Sequence, residues 1–119
     1  MAENQNGVKR MEIKHILSRE ALLTSYEKFP FEVKRIYCIK NLQVGDVRGN
    51  HTHKKTRQVV TCLQGSCYMT INKSAKMFID MNESYLIEPK DIHKIYNFSK
   101  DCILMVLASE EFSEDDYIR

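Results

Sequence analysis

Two histidines separated by one residue form the centre of a short basic stretch of this sequence. The stretch is Arg48-Gly49-Asn50-His51-Thr52-His53-Lys54-Lys55. On an extended strand His51 and His53 point to the same side, because strand side chains alternate between two faces. Imidazoles exchange protons near pH 7, and the flanking arginine and lysines can hold an anion. The stretch therefore predicts either a proton-transfer site or half of a metal site.

The spacing of the histidines resembles that in metal-binding cupins, whose ligands are an H-x-H pair, a glutamate shortly after it and a later histidine. The matching positions in this sequence are His51, His53, Gln58 and His93. Gln58 therefore stands where that resemblance implies a carboxylate, and its neutral amide is a poorer ligand for a divalent cation. The lysines of the stretch also raise the positive potential that a cation would meet. Three histidines can still hold zinc, as in some catalytic sites. A metal-dependent cupin using His51, His53 and His93 therefore stays open.

The composition predicts one folded domain. The chain has 119 residues, of which 43% are hydrophobic, and a formal net charge of +2. Such a chain can bury a core of its own, and its charge is too small for nucleic-acid binding by bulk electrostatics. The polar residues 1–10 contain no signal-peptide core, and no apolar run is long enough for a membrane helix. We expect a soluble, cytoplasmic protein whose four cysteines are reduced and mostly buried.

The chain is punctuated by turn residues and contains short segments typical of strands. Met11–Leu17 and Phe31–Ile39 alternate apolar and polar residues, and the ambiguous Ala21–Tyr26 is also predicted as a strand. In Phe31–Ile39, Arg35 and Tyr37 share the more apolar face. No long helix is predicted, so we expect an all-β sandwich or barrel.

Three further segments carry specific predictions. Gln58–Leu63 and Cys67–Ile71 flank Gly65 and are predicted to form a hairpin, with the glycine supplying a positive φ in the turn. Cys102–Ala108 is an unbroken apolar run, which favours a strand covered on both faces. The predicted organisation is a flexible tail at 1–10 and a single domain at 11–119.

The spacing of these histidines resembles that in the two sequence motifs of the cupin superfamily. Cupins are small jelly-roll β-barrels. A closer resemblance extends over residues 11–119 and is to the dTDP-4-keto-6-deoxyglucose 3,4-ketoisomerases, the WxcM-like sugar-nucleotide cupins. The segments that carry it are Pro30–Tyr37, Arg48–Lys55, Gly65–Cys67, Asp101–Ser109 and Asp116–Arg119.

This resemblance implies an isomerase, without metal or cofactor, that moves a ketone from C4 to C3 of a deoxysugar carried on thymidine diphosphate. His51 would be the base that removes the C3 proton, and His53 its partner in returning it. Arg48 and Arg35 are predicted to bind the diphosphate, because a guanidinium matches phosphate oxygens. The other predicted substrate contacts are Tyr37, Lys54, Gln58 and His93.

The resemblance also implies a homodimer with exchanged N-terminal strands, and a product used to make 3-amino sugars for surface polysaccharides such as lipopolysaccharide O-antigen or S-layer glycan. Two alternatives stay open beside the ketoisomerase. One is the metal-dependent cupin described above, and the other is a non-catalytic nucleotide-sugar binding module. A 3,5-epimerase is less favoured, because nothing in the sequence requires a second proton abstraction at C5.

Overall fold

The computed structural model describes residues 2–3, 9–10, 14–17, 22–26, 28–72, 77–80 and 83–118. It describes side chains for residues 26, 28–49, 52–72, 79 and 83–116. The strands are β1 (Ala2–Glu3), β2 (Lys9–Arg10), β3 (Lys14–Leu17), β4 (Leu22–Ser25), β5 (Arg35–Ile39), β6 (Val47–His53), β7 (Gln58–Gln64), β8 (Ser66–Ile71), β9 (Met77–Asp80), β10 (Ser84–Ile87), β11 (His93–Tyr96), β12 (Ile103–Ala108) and β13 (Tyr117–Ile118).

The described strands form two large antiparallel sheets and one small one. The first large sheet has the order β1-β2-β10-β7-β12-β5, and the second has the order β13-β6-β11-β8-β9. Strands β3 and β4 form the two-stranded sheet. Within the described ranges the helical structure is a single 3₁₀ turn at Glu114–Asp116, and no helix there has the length and hydropathy needed to cross a bilayer. The all-β prediction is confirmed.

The main core lies between the two large sheets and follows from the alternation of side chains along each strand. In β8 the inward residues Cys67, Met69 and Ile71 are buried, whereas the residues between them are partly exposed. The same alternation on β5 turns Arg35 and Tyr37 inward, as predicted. Other side chains of this core are Leu42, Val60, Cys62, Ile79, Tyr85, Ile87, Ile95, Phe98, Cys102, Leu104 and Val106.

A second apolar cluster covers the outer face of the first sheet. Val59, Leu86 and Leu107 are buried there beneath the aromatic residues of the segment that precedes β5, including Phe29 and Phe31. Strand β12 therefore contributes Val106 to the inner core and Leu107 to the outer cluster. This confirms that the apolar run is covered on both faces, and it explains why the run does not alternate.

The hairpin predicted around Gly65 is wrong. Strands β7 and β8 belong to different sheets, so the chain crosses from one layer to the other at this glycine. Gly65 has the predicted positive φ, of 78°. In addition, a Cβ at this position would overlap the hydroxyl of Ser99. Two strands joined by a short turn can pair or diverge, and here burial of Cys62 and Cys67 between the layers favours divergence.

The structure describes parts of the early strands that the sequence predicts. The strand predicted at Met11–Leu17 is described over Lys14–Leu17, and the ambiguous segment is confirmed as strand β4, which pairs with it. The strand predicted from Phe31 begins at Arg35, although the Lys34 amide still donates to the carbonyl of Ala108 at 2.9 Å. Within the predicted tail, the described residues of β1 and β2 pair with each other, and β2 also pairs with β10.

Candidate active site

An open cavity of about 430 Å³ lies at one end of the space between the sheets. Strand β5 contributes Arg35 and Tyr37, and strand β6 contributes Arg48 and Gly49. The lining is completed by Gln58 of β7, His93 of β11 and the residues Cys38, Ile39 and Lys40. Five polar side chains predicted to contact substrate therefore meet at one cavity although they come from four strands.

Strand register explains how the cavity arises between β5 and β7. Ala108 on β12 pairs with Arg35 on one side and with Gln58 on the other. The small side chain of Ala108 stands between two long polar ones, so the inner surface is recessed at this level. Farther along the same three strands, Val60 and Val106 fill the interior with apolar side chains. The cavity thus begins where the apolar core ends.

The guanidinium of Arg35 is held between two aromatic rings. Its central carbon lies 4.3 Å from the ring centroid of Tyr37 and 5.2 Å from that of Phe112. These cation–π contacts fix the plane of the group without neutralising its charge. Among the described residues, neither Arg35 nor Arg48 forms an ion pair with a carboxylate. Both arginines of the cavity are therefore available to bind an anionic ligand.

Gln58 and Tyr37 form a polar pair at the cavity. The Gln58 Nε2 donates to the Tyr37 hydroxyl at 3.2 Å, and the side chain is only 5% exposed. Its Oε1 is buried and accepts no hydrogen bond from the described residues. A buried acceptor costs stability unless it is satisfied, so Oε1 is suited to accept from a hydroxyl of a bound ligand.

Gly49 makes room for the buried side chain of His93. A Cβ at Gly49 would lie 2.8 Å from the carbonyl oxygen and 2.9 Å from the Cδ2 of His93. Gly49 also has a φ of 88°, which favours glycine. The register between β6 and β11 shifts directly after His93, which indicates a bulge at this point. The glycine of the basic stretch therefore serves to admit an imidazole from the neighbouring strand.

His53 is buried beside this cavity and is bound by a carboxylate. Its Nδ1 lies 2.8 Å from Oδ2 of Asp116, and its ring is parallel to that of His93 with 6.5 Å between centroids. His53 lines a small second cavity, which shares Arg35 and Gln58 with the larger one. The histidine is thus adjacent to the polar end of the larger cavity.

Asp116 is held by several donors. Oδ1 accepts from the Lys55 amide at 2.9 Å, and Oδ2 accepts from the Thr56 hydroxyl as well as facing His53. Burial by itself raises the pKa of Asp116, but the hydrogen bonds from Thr56, Lys55 and His53 outweigh it, and the pKa lies below the usual range. Asp116 is therefore an ionised carboxylate at neutral pH.

Comparison with known proteins identifies the family. Residues 6–119 match the family model described as WxcM-like, C-terminal (FdtA). The chain belongs to this WxcM-like family. It is 36% identical, over 93% of its length and 85% of the relative, to the TDP-4-oxo-6-deoxy-alpha-D-glucose-3,4-oxoisomerase of Aneurinibacillus thermoaerophilus.

Two solved structures of one ketoisomerase resemble this WxcM-like chain closely. Both are of QdtA, a sugar 3,4-ketoisomerase from Thermoanaerobacterium thermosaccharolyticum. The complex with TDP matches with a TM-score of 0.88 and 33% identity over 97% of this chain and 88% of the other. A histidine-to-asparagine variant in complex with TDP-4-keto-6-deoxyglucose matches with a TM-score of 0.85 and 32% identity over 98% and 88%. The predicted cupin-type jelly roll is confirmed.

Two further site residues predicted from the sequence of this WxcM-like chain are His51 and Lys54. The side chain of His51 lies outside the described residues, although its backbone pairs with that of His93. Lys54 is exposed and does not line either cavity. Among the described residues no group of three or more His, Cys, Asp or Glu side chains could hold a metal ion. That observation leaves the metal alternative untested, because it would include His51.

Asp116 and Thr56 are site residues that the sequence does not predict. In the sequence, Asp116 is only the first residue of the Asp-Tyr-Ile-Arg segment that carries the family resemblance. Its position near His53 depends on β13, whose Tyr117 pairs with His53 in the sheet. Thr56 carried no signal, since a threonine after a strand is common in turns and caps.

Proposed function

We propose that this WxcM-like chain is a TDP-sugar 3,4-ketoisomerase that converts TDP-4-keto-6-deoxyglucose into the 3-keto isomer. The observation that carries the proposal is the single cavity where Arg35, Arg48, Tyr37, Gln58 and His93 converge. The enzymatic activity is that of a relative 36% identical to this chain. The reaction is an intramolecular oxidation and reduction, so no external oxidant or reductant is consumed.

The chemistry requires a base next to a site that stabilises an oxyanion. Removal of the proton on C3, next to the C4 ketone, leaves an enediolate shared between the two carbons and their oxygens. Transfer of the C3 hydroxyl proton to the C4 oxygen, together with delivery of a proton to C4, then gives a ketone at C3 and a hydroxyl at C4. Donors placed where the charge develops lower the barrier, and a base that titrates near the working pH is the efficient choice.

We infer that His51 removes the C3 proton and that His53 takes part in returning a proton. The support is their spacing on β6 and the position of His53 beside the cavity, parallel to His93. Tyr37 and Gln58 are suited to bind the sugar. The Gln58 Oε1 in particular is a buried acceptor that a sugar hydroxyl could satisfy. His93 is the third imidazole near the reacting carbons, and we propose a substrate contact for it.

Arg35 and Arg48 are proposed to bind the diphosphate. Neither forms an ion pair with the described residues, and two aromatic rings fix the plane of the Arg35 guanidinium. A planar guanidinium can donate two parallel hydrogen bonds to phosphate oxygens. Lys54 stays a candidate for a longer-range electrostatic contact only, because it does not line the cavity.

The oligomeric state, the use of the product and the cellular location are proposed from the family resemblance. We infer a homodimer with exchanged N-terminal strands, in which the partner's strand would take the place beside β10 that β2 occupies within this chain. A 3-keto sugar is the substrate that an aminotransferase needs to make a 3-amino sugar for a surface polysaccharide. We also propose a cytoplasmic location, which agrees with four free cysteines. Sedimentation equilibrium would test the dimer.

The function is tested by incubating the purified protein with TDP-4-keto-6-deoxyglucose and identifying the product by NMR. We expect a 3-keto-6-deoxyhexose on TDP, and loss of its formation in His51→Asn. Binding of TDP is measured on the same samples by calorimetry. Tight TDP binding without turnover would support a non-catalytic module instead, and activity that requires a stoichiometric metal would support the metal-dependent alternative.

A further inference from the structure

The link between the end of the chain and strand β6 is built around Asp116. The amide of Lys54 donates to the Asp116 carbonyl at 2.7 Å, and β13 then pairs with β6 at His53. The carboxylate receives the Lys55 amide on one oxygen and the Thr56 hydroxyl on the other. Asp116 is 5% exposed. A side chain held by this many donors has little freedom to rotate away from His53.

The hydrogen bond between Asp116 and His53 decides where the imidazole proton sits. A neutral imidazole carries one N–H, on Nδ1 or on Nε2, and an ionised carboxylate can only accept. The hydrogen bonds to Asp116 keep it ionised, as its lowered pKa indicates. Because its Oδ2 is 2.8 Å from Nδ1, the proton must sit on Nδ1. Nε2 is then the nitrogen with the lone pair.

We propose that Asp116 is the positioning residue of the site, which holds His53 in the Nδ1–H tautomer so that Nε2 can exchange a proton with the substrate. This inference rests on the proposed function for its role in turnover. The tautomer itself can be measured whether or not the protein is a ketoisomerase. Asp116 acts through His53 and is not proposed to touch the sugar.

The substitution Asp116→Asn makes a sharp test because of the Lys55 amide. That donor requires an oxygen at the Oδ1 position, so the new amide nitrogen takes the Oδ2 position and faces His53. An amide nitrogen donates, and Nδ1 must therefore become the acceptor, with the proton on Nε2. The substitution reverses the tautomer while changing the size of the side chain very little.

The experiment is long-range proton–nitrogen NMR on the full chain with nitrogen-15 histidine, with the His53 signals identified by their loss in His53→Gln. We expect Nδ1–H in the wild-type protein and Nε2–H in Asp116→Asn. In the turnover assay Asp116→Asn should lower kcat at least ~tenfold, because general acid–base catalysis contributes about 10²–10⁴-fold. KM and the Kd for TDP should stay within about threefold, because the diphosphate contacts are unchanged.

Two controls separate positioning from structural support. Asp115→Asn removes the neighbouring exposed carboxylate and should change neither the tautomer nor kcat. Thr56→Val removes another donor to Asp116 but leaves the carboxylate, so the Nδ1–H tautomer should persist. A wild-type proton on Nε2 would overturn the proposal even if Asp116→Asn does not fold. So would an unchanged tautomer or an unchanged kcat in a folded Asp116→Asn protein. Absence of turnover in the wild type, with the tautomer as expected, would count against the proposed function alone.

Discussion

Arg48 and Lys54 carry the same charge in the same basic stretch, yet they lie in different surroundings. Arg48 lines the cavity, whereas Lys54 is exposed and lines neither cavity at the site. The sequence predicted both as substrate contacts, because charge and proximity to the histidines were the only criteria. Arg48 lies within β6, whereas Lys54 follows the end of β6 at His53.

Replacing each cation separately tests this difference. Arg48→Ala should weaken TDP binding at least ~tenfold, because a charged hydrogen bond contributes about 1.5–3 kcal/mol. Lys54→Ala should change the Kd for TDP by less than about threefold at physiological salt, because exposed charges are screened. Calorimetry with TDP at two salt concentrations measures both. Equal losses in the two variants would show that the cavity does not hold the diphosphate.

Individual site residues could be predicted because histidines, arginines and tyrosine carry recognisable chemistry. Arg35, Tyr37, Arg48, Gln58 and His93 were all selected from the sequence, and the structure brings them together at one cavity. Asp116 could not be assigned a role in this way. An aspartate in an acidic segment has no chemical signature until the fold places it against His53.

At the scale of elements, the site depends on how β6 and β11 pair. Gly49 sits on β6 opposite the bulge of β11 and leaves the space that His93 occupies. The sequence identified the glycine as part of a basic stretch but gave no reason for it. The reason is a contact with another strand, which local patterns do not encode.

Gly49→Ala should therefore disrupt both stability and function. Its positive φ disfavours alanine, and the new Cβ would meet backbone at 2.8 Å, which cannot move aside cheaply. We expect a loss of about 1–3 kcal/mol in the free energy of unfolding, typical of strain at a special backbone position. Urea denaturation measures it, with turnover of the remaining folded protein measured beside it.

Gly45→Ala is the matched control, because a Cβ there would meet no atom of the described residues within 4 Å. It should leave stability unchanged or raise it slightly, since alanine restricts the unfolded chain. If Gly49→Ala proved as harmless as Gly45→Ala, the account of His93 packing against Gly49 would be wrong.

The wrong hairpin prediction shows what local signals leave open. A glycine with positive φ between two strand patterns was recognised correctly. Whether such strands pair depends on where their inward residues are buried. Here Cys62 and Cys67 belong to a core between two sheets, and a choice between layers is a property of the whole fold.

At the scale of the molecule, both ends of the space between the sheets are specialised. One end holds the polar cavity, and the other holds the crossing at Gly65 with the buried thiols of Cys62, Cys67 and Cys102. The hydrogen bond from Cys62, with burial, raises the pKa of Cys67. Burial raises the pKa of Cys102 to about 12. The thiols of Cys67 and Cys102 are therefore neutral, and all three thiols are buried in the native protein.

Titration with a thiol-reactive disulfide at pH 8 tests this arrangement. Thiolates are the reactive species, so the exposed Cys38 should react rapidly and the three buried cysteines should react only on unfolding. The expected count is one fast thiol in native protein and four in guanidinium. Cys38→Ser should abolish the fast phase. If more than one thiol of the native wild-type protein reacted rapidly, the three core cysteines could not be packed as described.

The most direct test of the account is the isotope content of the product formed in deuterium oxide. Two imidazoles that take a proton from C3 and return one to C4 exchange it with solvent, so the 3-keto product should carry deuterium at C4. NMR measures that deuterium, and its formation should be lost in His51→Asn. A 3-keto product with only protium at C4 would contradict the mechanism in which one imidazole removes the C3 proton and another returns a proton to C4.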